Sequence, residues 1–369
     1  MVPTNISAPP LVSAVVPAYN AERYLAQTLG ALITQSYTNV EIIVVDDGSE
    51  DKTLQIAQTI AREYSQVRVF HQSNQGVAAA RNRGIAEARG EFIAPVDADD
   101  IWHPDAVAKL AHCLSNADAL TGVAYGWSVT IDEHGSPDGD FCCSTITGNV
   151  LRTLLCHNFI GTASATMIRR QCFAKVGGYD PHFRAAGLEG CEDWDLYLRI
   201  AQYYQFTVVP EFLFSYRRAW NSMSANAHAM AKSHGYLLEK VKRRHSHTPR
   251  VFYQISTSSF YLHLARIGYM YNNPSESLYW LRQALVKGSV FTLARAGFYE
   301  LLVKNMVALL GSSIGGSVGY SDRRTPIPKT GAIPRKQILQ VADIEKKRVR
   351  IFFKLVAQAA LHRLIQWLS

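Results

Sequence analysis

The sequence predicts an α/β domain built on a Rossmann-like, mostly parallel sheet with flanking helices, followed by a C-terminal α-helical extension. Three observations carry that expectation. Over the first hundred residues, short apolar runs rich in β-branched side chains alternate with stretches of helical periodicity, the signature of βαβ units. Two of those runs are followed at once by acids, Asp46-Asp47 and Asp97-Ala98-Asp99-Asp100; in open α/β sheets that strand end is where ligands bind. From about Ala227 onward the strand signal gives way to 3.6-residue periodicity.

The elements follow in order. Leu11–Val16 reads as a strand closed by Pro17, and Ala21–Gln35 as a helix with Tyr24, Leu25, Leu29, Leu32 and Ile33 on one side. Val40–Val45 and Val67–Phe70 are strands separated by a helix over Thr53–Tyr64. A third helix is expected over Gly76–Ala88 and a fourth strand over Glu91–Val96. Beyond Trp102 the pattern loosens. It still gives a helix over His103–Asn116, strands over Gly122–Ile131, Thr162–Ile168 and Phe206–Tyr216, and a helix over Glu192–Tyr204. His134–Asp140 reads as a polar loop. Helices are then expected over Val251–Tyr271, Ser275–Lys287 and Thr292–Leu310, and Gly311–Arg335 as a linker. The expected organisation is a catalytic domain over 1–225, a helical extension over 226–310, and a flexible linker with a basic amphipathic helix over 311–369.

Charge is distributed unevenly. The chain of 369 residues has a net charge of +8. From Gly311 to Ser369 there are eleven Lys or Arg against three acids, so the tail holds all of that excess and the first 310 residues are neutral. The six cysteines show no metal-ligand spacing, and Met1–Pro10 lacks a signal-peptide pattern, which together predict reduced thiols in a cytoplasmic protein. No apolar run reaches the length of a spanning helix, and no basic–aromatic module accompanies the tail, so nucleic acid is not an expected partner. His245-Ser246-His247 is too isolated for a metal site.

Several motifs carry chemistry. The acids after two strands suit a divalent cation shared with an anionic ligand. Either group also has a plainer reading: Ser49, Asp51 or Asp100 can cap the helix that follows. Asn74-Gln75-Gly76-Val77-Ala78-Ala79-Ala80-Arg81-Asn82 opens a helix, whose N-terminus favours anions; Arg81 can meet a phosphate there or pair with an acid of the cluster. Glu192-Asp193-Trp194-Asp195 opens another helix, where an acid serves as a base or as a cap. Tyr216-Arg217-Arg218 ends the last predicted strand, and an arginine there suits a diphosphate.

Together with Val16-Pro17-Ala18-Tyr19-Asn20, these motifs resemble family 2 glycosyltransferases of the GT-A fold over roughly the first 225 residues. The resemblance implies inverting transfer of a sugar from a nucleotide-sugar donor, with a divalent cation, Mn²⁺ or Mg²⁺, as cofactor. It assigns Asp99 to the metal and Asp97, with Ala98, to the nucleotide's ribose side. It gives Asp47 the N3 proton of a uracil base, with Pro17, Ala18, Tyr19 and Asn20 lining the base pocket and Gly76 and Arg81 near the nucleotide. Asp193 becomes the catalytic base, Glu192 its supporting neighbour, and Gly177-Gly178-Tyr179-Asp180 part of the acceptor side. Arg217 and Arg218 are assigned to the diphosphate, although the family's following His is replaced here by Ala219 or Trp220, before Ser222-Met223-Ser224. The Q-x-x-R-W motif of processive synthases is absent, which favours transfer of a single sugar to a glycan, lipid-linked or protein acceptor. A sugar-phosphate nucleotidyltransferase is disfavoured by Pro17-Ala18-Tyr19-Asn20, where such an enzyme has a Gly-rich loop. A silent nucleotide-sugar-binding module that recruits partners is the remaining alternative.

The tail carries a second pattern. Lys347, Arg350, Lys354, Gln358, His362 and Gln366 share one helical face; Phe353, Val356, Ala360, Leu364 and Leu368 lie opposite, with Trp367 near the end. Such a helix either lies in an anionic membrane interface, at the inner face of the cell membrane, or docks its apolar face on the bundle or a second subunit.

Overall fold

The computed structural model describes residues 8–188, 190–218, 226–288, 290–314 and 348–367. Four strands form its parallel half: β1 (Val12–Ala18), β2 (Val40–Asp46), β3 (Val67–His71) and β4 (Phe92–Pro95). Every residue of β1 and β2 is buried, as expected of central strands covered on both faces. In register, Ala18 lies opposite Asp46, and Asp46 opposite His71, so three strand ends arrive at one edge. Helices α1 (Leu25–Ile33), α2 (Thr53–Glu63) and α3 (Val77–Glu87) make the crossovers. On α1, Leu25, Leu29 and Leu32 are buried, each contributing roughly 1.5–3 kcal/mol by leaving water.

Past β4 the sheet is mixed rather than mostly parallel. The remaining elements are β5 (Ile101–Trp102), α4 (Ala106–Ser115), β6 (Thr121–Ile131), β7 (Pro137–Cys142), α5 (Leu151–Cys156), β8 (Thr166–Arg169), α6 (Arg170–Val176), α7 (His182–Ala185), α8 (Glu192–Ile200) and β9 (Gln205–Arg217). The nine strands run β3-β2-β1-β4-β8-β6-β9-β5, with β7 paired to β6. β8 is antiparallel to β4 and to β6, β5 is antiparallel to β9, and β6 with β9 is parallel. The loop expected over His134–Asp140 is largely a hairpin, since Asp132 and Gly135 make its turn and β7 then pairs antiparallel with β6.

Helices α9 (Ala227–Arg244), α10 (Arg250–Met270), α11 (Pro274–Gly288), α12 (Val290–Leu293) and α13 (Ala296–Ile314) follow, and then α14 (Arg348–Trp367). The helix expected over Thr292–Leu310 is thus two, α12 and α13. Their core is continuous with that of the sheet: Leu237, Phe252, Phe260, Leu264, Trp280 and Leu301 belong to the same buried cluster as Val16, Ile43 and Phe92. Trp194 of α8 packs at this joint, its ring 5.3 Å from that of His234, which stacks at 4.2 Å on Phe260. Burial pushes the His234 imidazole down to about 3, so it stays neutral in the core. The expected boundary at 225/226 and most of the linker lie outside the described residues. All six cysteines are unpaired. Among the described residues no helix is long and apolar enough to cross a membrane.

Close packing of α3 on the sheet depends on Gly84. A Cβ there would stand 2.3 Å from Val15 Cγ1 in the fully buried middle of β1. Gly84→Ala therefore overpacks the core beneath the acidic edge and is expected to cost about 1–3 kcal/mol, read as a lower midpoint in urea denaturation; an unchanged midpoint would show that α3 moves freely.

Candidate active site

The loops after β1 and β2 are interlocked. The Asn20 amide N–H donates to Ser49 Oγ at 3.0 Å, and Asn20 Oδ1 accepts from the Glu50 N–H at 2.9 Å. Asp51 takes the N–H groups of Glu22 and Thr53 at 3.1 and 2.9 Å. Asn20 thus works as a clasp, in a left-handed backbone conformation with φ 48°. Pro17 and Ala18 are buried at the end of β1, and Tyr19 stands half exposed beside them.

The two acids after β2 divide their tasks. Asp46 is fully buried, and its Oδ2 lies 2.7 Å from His71 Nδ1. Asp47 faces the third motif: its Oδ1 accepts from Gln72 Nε2 at 2.8 Å and the Gln75 N–H at 2.9 Å, and its Oδ2 from the Gly76 N–H at 2.7 Å. Gly76 has φ 91°, and a Cβ there would strike Arg184 Cδ at 2.5 Å. Arg184, from α7, binds Asn74 Oδ1 and reaches within 3.8 Å of Asp47. Sequence reasoning overlooked His71, Gln72 and Arg184. His71 was accessible to it, because it directly follows the strand expected over Val67–Phe70, level with Asp46.

Arg81 joins the two halves of the site. It is 3% exposed, and its guanidinium contacts Asp97 Oδ1 at 2.5 Å and Glu192 Oε1 at 2.9 Å, with the Tyr179 ring 5.0 Å away. Of the two alternatives open for Arg81, the structure shows the ion pair with the acid cluster. The Asp97 N–H donates to Ser164 Oγ at 2.9 Å, and Thr28 Oγ1 donates to the Ala98 carbonyl at 2.9 Å, so the acidic turn is pinned from both sides. Burial and then the Asp97 charge push the Asp99 carboxyl up to about 6. Asp100 is buried, takes the Arg217 N–H at 2.9 Å, and is held well above the carboxylate range by burial and by Asp99 and Asp97.

Cys191 precedes α8 in a left-handed conformation, φ 68°, unusual for a residue with a Cβ. The three acids then diverge. Glu192 is 6% exposed and spent on Arg81. Asp195 is fully buried beneath Arg199, Lys240 and Arg244, at 2.8, 3.1 and 3.0 Å. Asp193 is partly exposed and accepts the Trp194 N–H at 2.7 Å. Burial, then the neighbouring Glu192 charge, push its carboxyl up to about 7, the range of a general base. The acceptor-side loop is fixed by Asn82, whose amide donates to the Tyr179 carbonyl and accepts the Tyr179 N–H, both at 2.7 Å.

The two late arginines have other tasks than a diphosphate. Arg217 is 2% exposed; its side chain donates to the carbonyls of Asp99, Asp132 and Glu133 and to Gln27 Oε1, over distances of 2.7–3.3 Å, and lies 4.4 Å from the Tyr24 ring. Its donors are consumed in fastening β9 to the acidic turn. Arg218 pairs with Asp138 and Asp140 of β7 at 2.8 and 3.3 Å. The positions that follow, 219–225, lie outside the described residues.

Among the described residues no group of three or more His, Cys, Asp or Glu is arranged to hold a metal alone. Asp97 and Asp99 fit the other arrangement, a divalent cation bound by one or two carboxylates and completed by phosphate oxygens and water. Burial first, and then the Asp97 charge, disfavour the ionised Asp99 carboxylate, which a bound cation would favour.

Residues 13–177 match the model of glycosyl transferase family 2. The chain carries a family 2 glycosyltransferase domain. It is 41% identical over 132 residues to the glycosyltransferase GlyG of Streptococcus pneumoniae, covering 36% of this chain and 42% of that protein. It is 27% identical over 197 residues to the chondroitin synthase of Escherichia coli, covering 52% and 27%. The chain spans less than half the length of either. A mannosyltransferase from Pyrobaculum calidifontis, solved with GDP-Man and Mn²⁺, shares the fold with a TM-score of 0.54 and 19% identity, over 83% of this chain and 87% of that one. The mixed sheet with flanking helices is the GT-A glycosyltransferase fold, with added C-terminal helices.

Arg81 couples the acid after β4 to the acid at the start of α8. Arg81→Met leaves the buried Glu192, and the partly exposed Asp97 beside it, without their cation, a loss of about 3 kcal/mol. The expected result is a marked drop in melting temperature together with lost nucleotide binding; a variant as stable as the parent would show that the pair is not buried in solution.

Proposed function

We propose that the chain is an inverting, metal-dependent glycosyltransferase that moves a single sugar from a nucleotide-sugar donor, in this reading a UDP-sugar, to a hydroxyl of a glycan, lipid-linked or protein acceptor. The observation that carries this reading is Asp193: a partly exposed carboxyl at the start of α8, tuned to about 7, across the Arg81 bridge from Asp97. In-line attack by the acceptor hydroxyl forms the new bond to the anomeric carbon as the bond to the diphosphate breaks, and Asp193 takes the hydroxyl proton. Glu192 is committed to Arg81 and orients the start of the helix. Asp47 keeps acceptor capacity on Oδ2 for the N3–H of a uracil, beside the half-exposed Tyr19. Asp99 would hold Mn²⁺ or Mg²⁺, with Asp97 on the ribose side, and the cation would neutralise charge on a departing diphosphate. The mannosyltransferase of the same fold, solved with GDP-Man and Mn²⁺, is consistent with a donor of this class.

Calorimetric titration with UDP, GDP and dTDP, each with and without Mn²⁺, tests the donor site. Tight metal-dependent binding of UDP is the expected outcome; preference for GDP or dTDP would move the donor class, and no binding at all would sink the reading. Binding of a nucleotide-sugar that is never transferred or hydrolysed would identify the recruiting module instead.

The base has two further consequences. Only the ionised carboxylate accepts a proton, so kcat/KM should fall about tenfold per pH unit below a midpoint near 7 and level off above it. Asp193→Asn should retain donor binding and lose at least about a hundredfold in transfer, the scale of general-base catalysis. Near-normal turnover would remove Asp193 from the mechanism.

A further inference from the structure

Two helices at the C-terminal end leave apolar side chains in water. On α13, Phe298 and Leu301 are buried against the bundle, and the buried Asn305 donates to Ser277 Oγ at 2.8 Å. The opposite stripe is Tyr299, Val303, Met306, Val307 and Leu310, spaced to share one side, with Val307 63% and Leu310 61% exposed. Glu300 and Lys304 are the charged residues of α13 and they bond to each other, so the stripe lacks the polar cover of an ordinary surface helix.

α14 docks with the face opposite to the apolar one named from the sequence. Ile351 and Leu355 pack on Val129, Ile131 and Phe141; Ile365 is fully buried; Lys354 Nζ donates to the Phe141 carbonyl; His362 Nδ1 lies 2.6 Å from Thr153 Oγ1. Phe352, Phe353 and Val356 remain outside, 62%, 65% and 50% exposed, as does Arg363, whereas the Arg350 guanidinium lies 5.9 Å from the Phe141 ring on the docked side. The helix has four Lys or Arg and no acid.

We infer that the outer faces of α13 and α14 together form a docking surface for an anionic lipid bilayer. Charge selects this occupant. Against a second copy, the same face would bring two acid-free cationic helices together, at a repulsive cost. Against a bilayer, Phe352, Phe353 and Val356 enter the interface while Arg363 meets lipid headgroups, a basic residue there adding about 1 kcal/mol. The excess of +8 from Gly311 to Ser369, beside a neutral remainder, acts in the same direction. This surface is independent of the donor and of Asp193, so its test can fail without touching the catalytic reading.

Co-sedimentation of the full chain with phosphatidylglycerol-containing vesicles, and with phosphatidylcholine vesicles alone, tests it. The expected result is binding to the anionic vesicles only, weakened at least about tenfold by high salt. Phe352→Ser with Phe353→Ser, or Val303→Ser with Val307→Ser, should weaken it by a similar factor without adding charge, and should leave nucleotide binding unchanged. Failure to bind anionic vesicles at low salt, or binding that survives both double variants, overturns the inference. So does a parent chain that is dimeric and becomes monomeric in either variant, since the face would then be a subunit interface.

Discussion

A buried guanidinium between two carboxylates from different elements is the constraint on which this site rests. Arg81 comes from α3, Asp97 from the turn after β4, and Glu192 from the start of α8, 111 residues from Arg81. Each of the three ions would be costly to bury alone, and leaving one unpaired costs several kcal/mol. The chain therefore closes around them as a set. In closing, it brings the donor-side turn and the base-bearing helix to one edge of the sheet, and Asn82, next to Arg81, fixes the Gly178-Tyr179 loop through two further bonds.

The acids come in groups, and each group separates scaffold from chemistry. Asp46 is buried on His71 while Asp47 faces Gln75 and Gly76. Asp100 is consumed by the Arg217 backbone while Asp99 keeps a raised, cation-hungry carboxyl. Glu192 and Asp195 are paired, and Asp193 between them is not. Burial and like charge raise Asp99, Asp100 and Asp193, and of these Asp100 is tied to the backbone of β9.

Much of this was legible in the sequence. Strand ends locate acids because apolar runs terminate where the chain leaves the core, so Asp47, Asp97 and Asp99 could be placed from spacing, and Asp193 from the opening of a helical pattern and the resemblance. What was not readable depends on partners far along the chain. Nothing local to Arg217 tells that Gln27 and the carbonyls of Asp99, Asp132 and Glu133 will take its donors. The mixed half of the sheet was hidden for a similar reason, since β8 is four residues long and its antiparallel pairing is set by β4 and β6. On α14, periodicity separates two faces but does not choose which one docks; Ile351, Leu355 and Ile365 sit on the basic side and decide it.

The helical extension is also part of the site's support. Asp195 stands two residues after Asp193 on α8, and its buried carboxylate is held by Lys240 and Arg244 of α9 as well as by Arg199. Lys240 also binds Asp180, in the acceptor-side loop. One α9 lysine thus ties the helix that carries the base to the loop on its acceptor side. Trp194, between the two acids, adds a hydrophobic tie: its indole donates to the Leu154 carbonyl and packs on His234. Movement of α9 relative to the sheet would strain both ties at once. The placement of the start of α8 is therefore set as much by the helices after residue 226 as by the sheet before it, which joins the two parts of the chain into one structural unit.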